Sequence, residues 1–106
     1  MKHFNEKLDM NQCYITGIRS GILERHHVFC AANRTRSTFY GMVVCLTAPI
    51  HPNGARRDEK ACKKLTGMTI KELDLKLKQD CQKWYENELG KSREEFIEEF
   101  GRNYLE

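Results

Sequence analysis

Two short apolar runs and one long amphipathic stretch organise the chain. ILERHHVF (22–29) is dense in β-branched and aromatic residues and predicts a first strand; GMVVCLT (41–47) predicts a second. The polar connection between them, CAANRTRSTFYG, has twelve residues, long for a hairpin loop, and is read as a functional loop. After the second strand, API followed by His51, Pro52, Asn53 and Gly54 forms a turn rich in helix breakers, with a helix expected beyond it. From Thr69 the period changes to that of a helix. Ile70, Leu73, Leu77, Cys81, Trp84 and Tyr85 recur at spacings of three and four, and Phe96, Phe100 and Tyr104, with Ile97, repeat the pattern after Ser92. Thr69 with Glu72 and Ser92 with Glu95 match the capping box, in which side chain and backbone satisfy each other's free amides. Gly90 closes the first of these helices, and both stripes read as core. Upstream, CYITGIRSG turns at Gly17 and Gly21, and the first dozen residues are polar and read as an arm that docks late or frays.

The chemistry concentrates in ERHHVFCAANRTRS (24–37). Side chains alternate across a strand, so His26 and His27 point to opposite faces and cannot chelate one ion together. They are free to do different jobs. His26 and His51, one from the hairpin and one from the turn, are the natural pair to meet at a divalent cation. His27, facing the other way, is then available near neutrality to take a proton from water, its ring held by a main-chain group of the loop. Asn33 is placed to pin that loop through its side-chain amide. Arg34 and Arg36, and Arg56 and Arg57 near the next helix start, are candidate phosphate contacts, because guanidinium forks match phosphate oxygens. Solvated surface charge is the competing reading of all four.

Bulk properties narrow the class. At 106 residues, 40% hydrophobic and 31% charged, the chain is one ordinary globular domain rather than a disordered segment. No apolar run reaches the ~20 residues of a bilayer span, and MKHFNEKLDMNQ lacks the apolar centre of a signal peptide, so a cytoplasmic location and no membrane partner are expected. Net charge is only +3, but between Arg19 and Lys64 nine basic residues face three acids, while the last fifteen residues are acidic. A basic middle suits a polyanion such as DNA. The five cysteines (Cys13, Cys30, Cys45, Cys62, Cys81) form no CxxC and read as free thiols of a reducing compartment.

ERHHVF, then NR, then YGMVVCL, then His51, and finally SREEFIEEFGRNYL together resemble the small HNH-type nuclease-like proteins of phages and prophages, over about residues 13–105. The resemblance implies an α+β fold with a ββα-metal core, a hairpin and a helix gripping one divalent ion, and two C-terminal helices packed on it. It divides a single domain into an N-terminal arm (1–12), the ββα-metal core (13–65) and a helical part (69–105). It implies His27 as general base, His26 and His51 as ligands of Mg²⁺ or Mn²⁺ (Zn²⁺ or Ni²⁺ as alternatives), and Asn33 as the loop-pinning residue. Arg34 and Arg36 become phosphate contacts, and the setting becomes the cytoplasm of an infected or lysogenic bacterium. Such proteins often carry a zinc knuckle; here Cys13 remains, but Thr16, Thr47 and Ile50 stand at the other ligand positions, so the structural zinc is expected to be lost and Ile15, Val44 and Ile50 to pack in its place. No histidine follows His51, leaving Asn53, Asp58 or Cys62 as candidate third ligands. Two functions follow: a DNA endonuclease that depends on a divalent metal, or an inactive HNH-fold protein that binds DNA or a host or phage nucleoprotein as an anti-defence or recombination accessory factor.

Overall fold

The structure is a computed structural model that describes residues 2–105. It is a small α+β protein with one two-stranded antiparallel sheet and four helices among the described residues. Strand β1 (Leu23–His27) pairs with β2 (Val43–Thr47) in the register Leu23↔Thr47 to His27↔Val43. Helix α1 (Arg34–Phe39) lies inside the connection, α2 (Glu59–Thr66) follows the hairpin, and α3 (Ile70–Asn87) and α4 (Arg93–Phe100) complete the chain. No helix among the described residues is long and apolar enough to cross a membrane.

The connection between the strands is more ordered than its polarity predicts. A 3₁₀ turn at Ala31–Asn33 runs directly into α1. Ser37, on the inner side of α1, closes the segment back onto β2: its hydroxyl donates to the Met42 carbonyl at 2.7 Å and accepts from the Phe29 amide at 3.3 Å. A single buried hydroxyl between two main-chain groups thus converts the expected loop into a helical cap.

Helices α3 and α4 begin as the sequence requires. Both capping boxes form, Thr69 with Glu72 and Ser92 with Glu95. Leu73, Leu77, Cys81 and Tyr85 are fully buried along one face of α3, and Phe96 and Phe100 along one face of α4. Around them Phe29 packs on Phe100 with ring centroids 4.5 Å apart, Phe96 on Phe100 at 4.7 Å, and Tyr85 on Phe96 at 5.2 Å. Aromatic pairs at these separations add to the burial of their apolar area. The hydroxyls of Tyr40 and Tyr85 both donate to the Glu99 carboxylate, so the polar ends of the two buried rings are satisfied by one α4 side chain. Two expectations are corrected here. Ile97 lies on the exposed side of α4, and Trp84 is half-buried, its ring edge-on to Phe4 rather than inside the core.

Phe4 belongs to the N-terminal segment, which docks along the hairpin rather than fraying. The amides of Phe4 and Asn5 donate to the carbonyls of Tyr40 and Gly41, the Asn5 side chain to Val43, and the Tyr14 amide to Cys45. This cover explains why all five residues of β2 are buried although only one face of the sheet meets the helices. Gly41 has a φ of +66°, and a Cβ there would lie 2.5 Å from the His3 Cβ and 2.7 Å from the Asn5 Oδ1. Gly41→Ala is therefore expected to lower stability by more than about 1 kcal/mol and to release the N-terminal segment, read by urea unfolding and amide exchange at Phe4 and Asn5. Thr69→Ala and Ser92→Ala each remove one cap and should cost about 1 kcal/mol in the same measurement.

Candidate functional site

Strand alternation decides what each imidazole meets. Glu24 and His26 share a face with their partners Leu46 and Val44, both fully buried, and so look towards the helices. Arg25 and His27 share the other face with Cys45 and Val43. His26 is 2% exposed; its Nε2 is buried and makes no hydrogen bond, and Asp74 Oδ1 on α3 lies 3.8 Å away. His51 follows the 3₁₀ turn Ala48–Ile50, which carries it back over the hairpin. The His26 and His51 rings come edge to face, with centroids 5.0 Å apart and planes at 71°. The structure thus brings together the two rings that sequence alone paired.

Two carboxylates flank this ring pair, each tied to a cation. Glu24 Oε1 meets His51 Nδ1 at 2.7 Å, and Glu24 Oε2 accepts from Arg56 at 3.1 Å. The His51 contact, with Arg56 behind it, holds the Glu24 carboxyl below its usual range despite partial desolvation. Asp74 Oδ2 accepts from Lys78 at 2.7 Å. Burial works against the Asp74 charge, but His26 and Lys78 outweigh it and its carboxyl also sits low.

On the opposite face a groove of about 320 Å³ is lined by His3, Asn5, Arg25, His27 and Thr38. Burial, then the nearby Arg34 guanidinium and His26, hold the His27 imidazole below its ordinary value, so it is neutral and able to accept a proton at pH 7. Among the described residues no main-chain group takes the His27 ring, contrary to expectation.

The remaining candidates are dispersed. Asn33 does pin the connection, but to α4: its side-chain amide donates to the Phe100 carbonyl at 3.2 Å, at the α4 C-terminus. Arg34 is exposed on α1, and Arg36 lies 4.0 Å from Glu99. Arg56 is the partner of Glu24, and Arg57 donates to the Gly54 carbonyl at 3.1 Å, so both are engaged within the protein. The three candidate third ligands do not join the imidazole pair. Asp58 caps α2 through the Ala61 amide, Cys62 is buried against Thr66, and Asn53 is exposed beside Cys30.

Cys13, fully buried, does sit with Thr16 and Thr47. Burial would push its thiol up, but bonds from the Thr16 side chain and from the main chain of Thr16, Thr47 and Ile15 outweigh that and lower it. Neither threonine is an ordinary zinc ligand, and Ile50 and Val44 are fully buried in the core.

The orphaned His26 nitrogen beside a second imidazole suits a first-row divalent cation, for which imidazole is a good ligand. Among the described residues no group of three or more His, Cys, Asp or Glu side chains converges to hold a metal ion. Sequence reasoning missed Glu24, Asp74, Arg25 and His3. Glu24 and Arg25 were within reach of it, lying two residues before His26 and His27 on the same faces. Asp74 arrives from a distant helix and His3 from the arm, and no local pattern announces either.

Comparison with protein-family models, with curated proteins and with solved structures finds no match for this chain.

Asn33→Ala removes one side-chain bond to α4 and is expected to lower stability by about 1 kcal/mol. Chemical shifts of the His26 and His51 rings should stay in place, since nothing links that bond to the ring pair.

Proposed function

We propose that this chain is an HNH-type nuclease-like protein acting on DNA phosphodiesters, with a ββα-metal core made by β1, β2 and the segment from His51 into α2. One observation carries the reading: the hairpin sets His26 against His51 with ring centroids 5.0 Å apart while His27 opens onto a separate groove on the other face. A divalent ion held by His26 and His51 would lie on the inner face of the hairpin and brace its core there. The phosphate chemistry falls to the chain's own groups in the groove on the other face. His27, neutral at pH 7, takes the proton of the attacking water. Arg25 and Arg34, beside His27, attract and orient the phosphate.

Purified protein with Mn²⁺ or Mg²⁺ should nick supercoiled plasmid, and His27→Ala should lower the rate by about 10²-fold or more. Intact plasmid with every divalent ion tried, from protein that is folded by circular dichroism, would remove the activity.

A second reading is favoured by the absence of a third ligand side chain among the described residues: the scaffold binds DNA without cutting it. Protein of that kind retains duplex DNA in a filter assay, loses it steeply between 50 and 200 mM salt as about one counterion leaves per phosphate contact, and yields no stoichiometric metal on elemental analysis.

A further inference from the structure

The groove on the outer face of the hairpin continues onto α1. Thr38 of α1 lines it together with His3, Asn5, Arg25 and His27. Buried Ser37 marks the inner side of α1, while Arg34, Thr35, Thr38 and Phe39 are exposed. Arg34 is near enough to His27 to disfavour a charge on its ring. Among the described residues neither Arg25 nor Arg34 has an acid as partner. Phe39 stands out on this surface. It is 58% exposed, more than any other large apolar side chain among the described residues. Its ring stands nearly perpendicular to that of Tyr40, at 84° with centroids 5.0 Å apart, and the Tyr40 hydroxyl is tied to Glu99. Phe39 is thus propped on a fixed neighbour while more than half of it meets water.

We propose that α1 and the groove form a binding surface for unpaired DNA, with Phe39 stacking on an exposed base and Arg25 and Arg34 holding the adjoining phosphates. This names the substrate class of the nucleic-acid reading above and rests on that reading, though not on cleavage or on any ion. Charge selects a polyanion, because two guanidinium groups without a carboxylate attract one. The ring selects its form. An aromatic side chain beside the cations offers nothing to a phosphate and much to a base, since every base has a π face of its own. In a duplex the neighbouring bases already cover both faces, so Phe39 finds a partner only where a base is unpaired. Five residues at 1.5 Å of rise set Phe39 about 7.5 Å from Arg34 along the α1 axis, a span that one nucleotide bridges.

The test uses the full chain in EDTA, with fluorescein-labelled oligo(dT), alone or annealed to oligo(dA), as the probe and anisotropy as the readout. The single strand should bind about 10-fold more tightly than the duplex. Phe39→Ala should weaken the single strand by about 5- to 150-fold and the duplex little. Phe39→Leu, apolar but without a π face, should act like Phe39→Ala. Phe39→Trp should bind, and its emission should be quenched beyond any change at Trp84 in the unsubstituted protein. Arg34→Gln should weaken both forms and flatten the slope of log affinity against log salt by about 0.7 for the single strand. All these substitutions fall at exposed positions, and circular dichroism confirms folding of each variant. Equal affinity for the two forms, or single-strand binding unmoved by Phe39→Ala, overturns the proposal while duplex binding keeps the nucleic-acid reading. Full binding by Phe39→Leu makes the contact apolar rather than stacked and overturns it as well. No binding of either form overturns both readings and turns the surface towards a protein partner. Binding that depends on Phe39, without nicking of plasmid, supports the surface and removes only the cleavage.

Discussion

The register of β1 on β2 sets His26 opposite Val44 and His27 opposite Val43, and a slip of one residue would exchange the faces of every side chain between Leu23 and His27. Two constraints hold that register. Val44 and Leu46 are fully buried against the helices, so the inner face tolerates no exchange with Arg25. On the outer face the N-terminal segment binds the β2 backbone through Asn5 and Tyr14, which fixes the edge as well as the face. With the register settled, Glu24 and His26 can only look inward, towards His51 and Asp74, and Arg25 and His27 can only look out into the groove.

Placing an imidazole on the inner face has a cost. A buried nitrogen without a hydrogen-bond partner loses about 1–3 kcal/mol relative to one in water, and His26 Nε2 is such an atom. Among the described residues Thr47 Oγ1 is a second buried side-chain atom without a partner, whereas Ser37 bonds Met42 and Gln82 bonds Asn103; His26 Nε2 differs in having a carboxylate, Asp74, 3.8 Å away.

The sequence carried the periodic parts of this fold well. Both strands, both capping boxes and the buried stripe of α3 follow from local spacing, because each depends on neighbours within four residues. The alternation of His26 and His27 was legible for the same reason. Helix α1 was not, because its order comes from Ser37 reaching Phe29 and Met42, contacts that only the closed hairpin creates. The docked arm depends on Gly41 giving the main chain room, and the cluster around His26 depends on Asp74 arriving from a helix 48 positions on; such contacts between distant segments leave no local signature. The basic residues show the limit of reading charge from a string. Arg56 and Arg57 stand side by side in sequence, yet one serves a carboxylate and the other a carbonyl.

That distribution of partners gives the two faces of the hairpin different electrostatic characters. On the inner face each acid has its own cation, Glu24 with Arg56 and Asp74 with Lys78, so the surroundings of the ring pair are close to neutral in sum. On the outer face Arg25 lines the groove and Arg34 lies near enough to disfavour a charge on His27, and no acid among the described residues is paired with either. An anion approaching the hairpin is drawn to the side of His27, whose imidazole is held below its ordinary value by burial first and by Arg34 second. Arg34 therefore both attracts an anion and disfavours a charge on His27, while Arg25 reaches the same groove because it stands two residues before His27 on a strand whose side chains alternate.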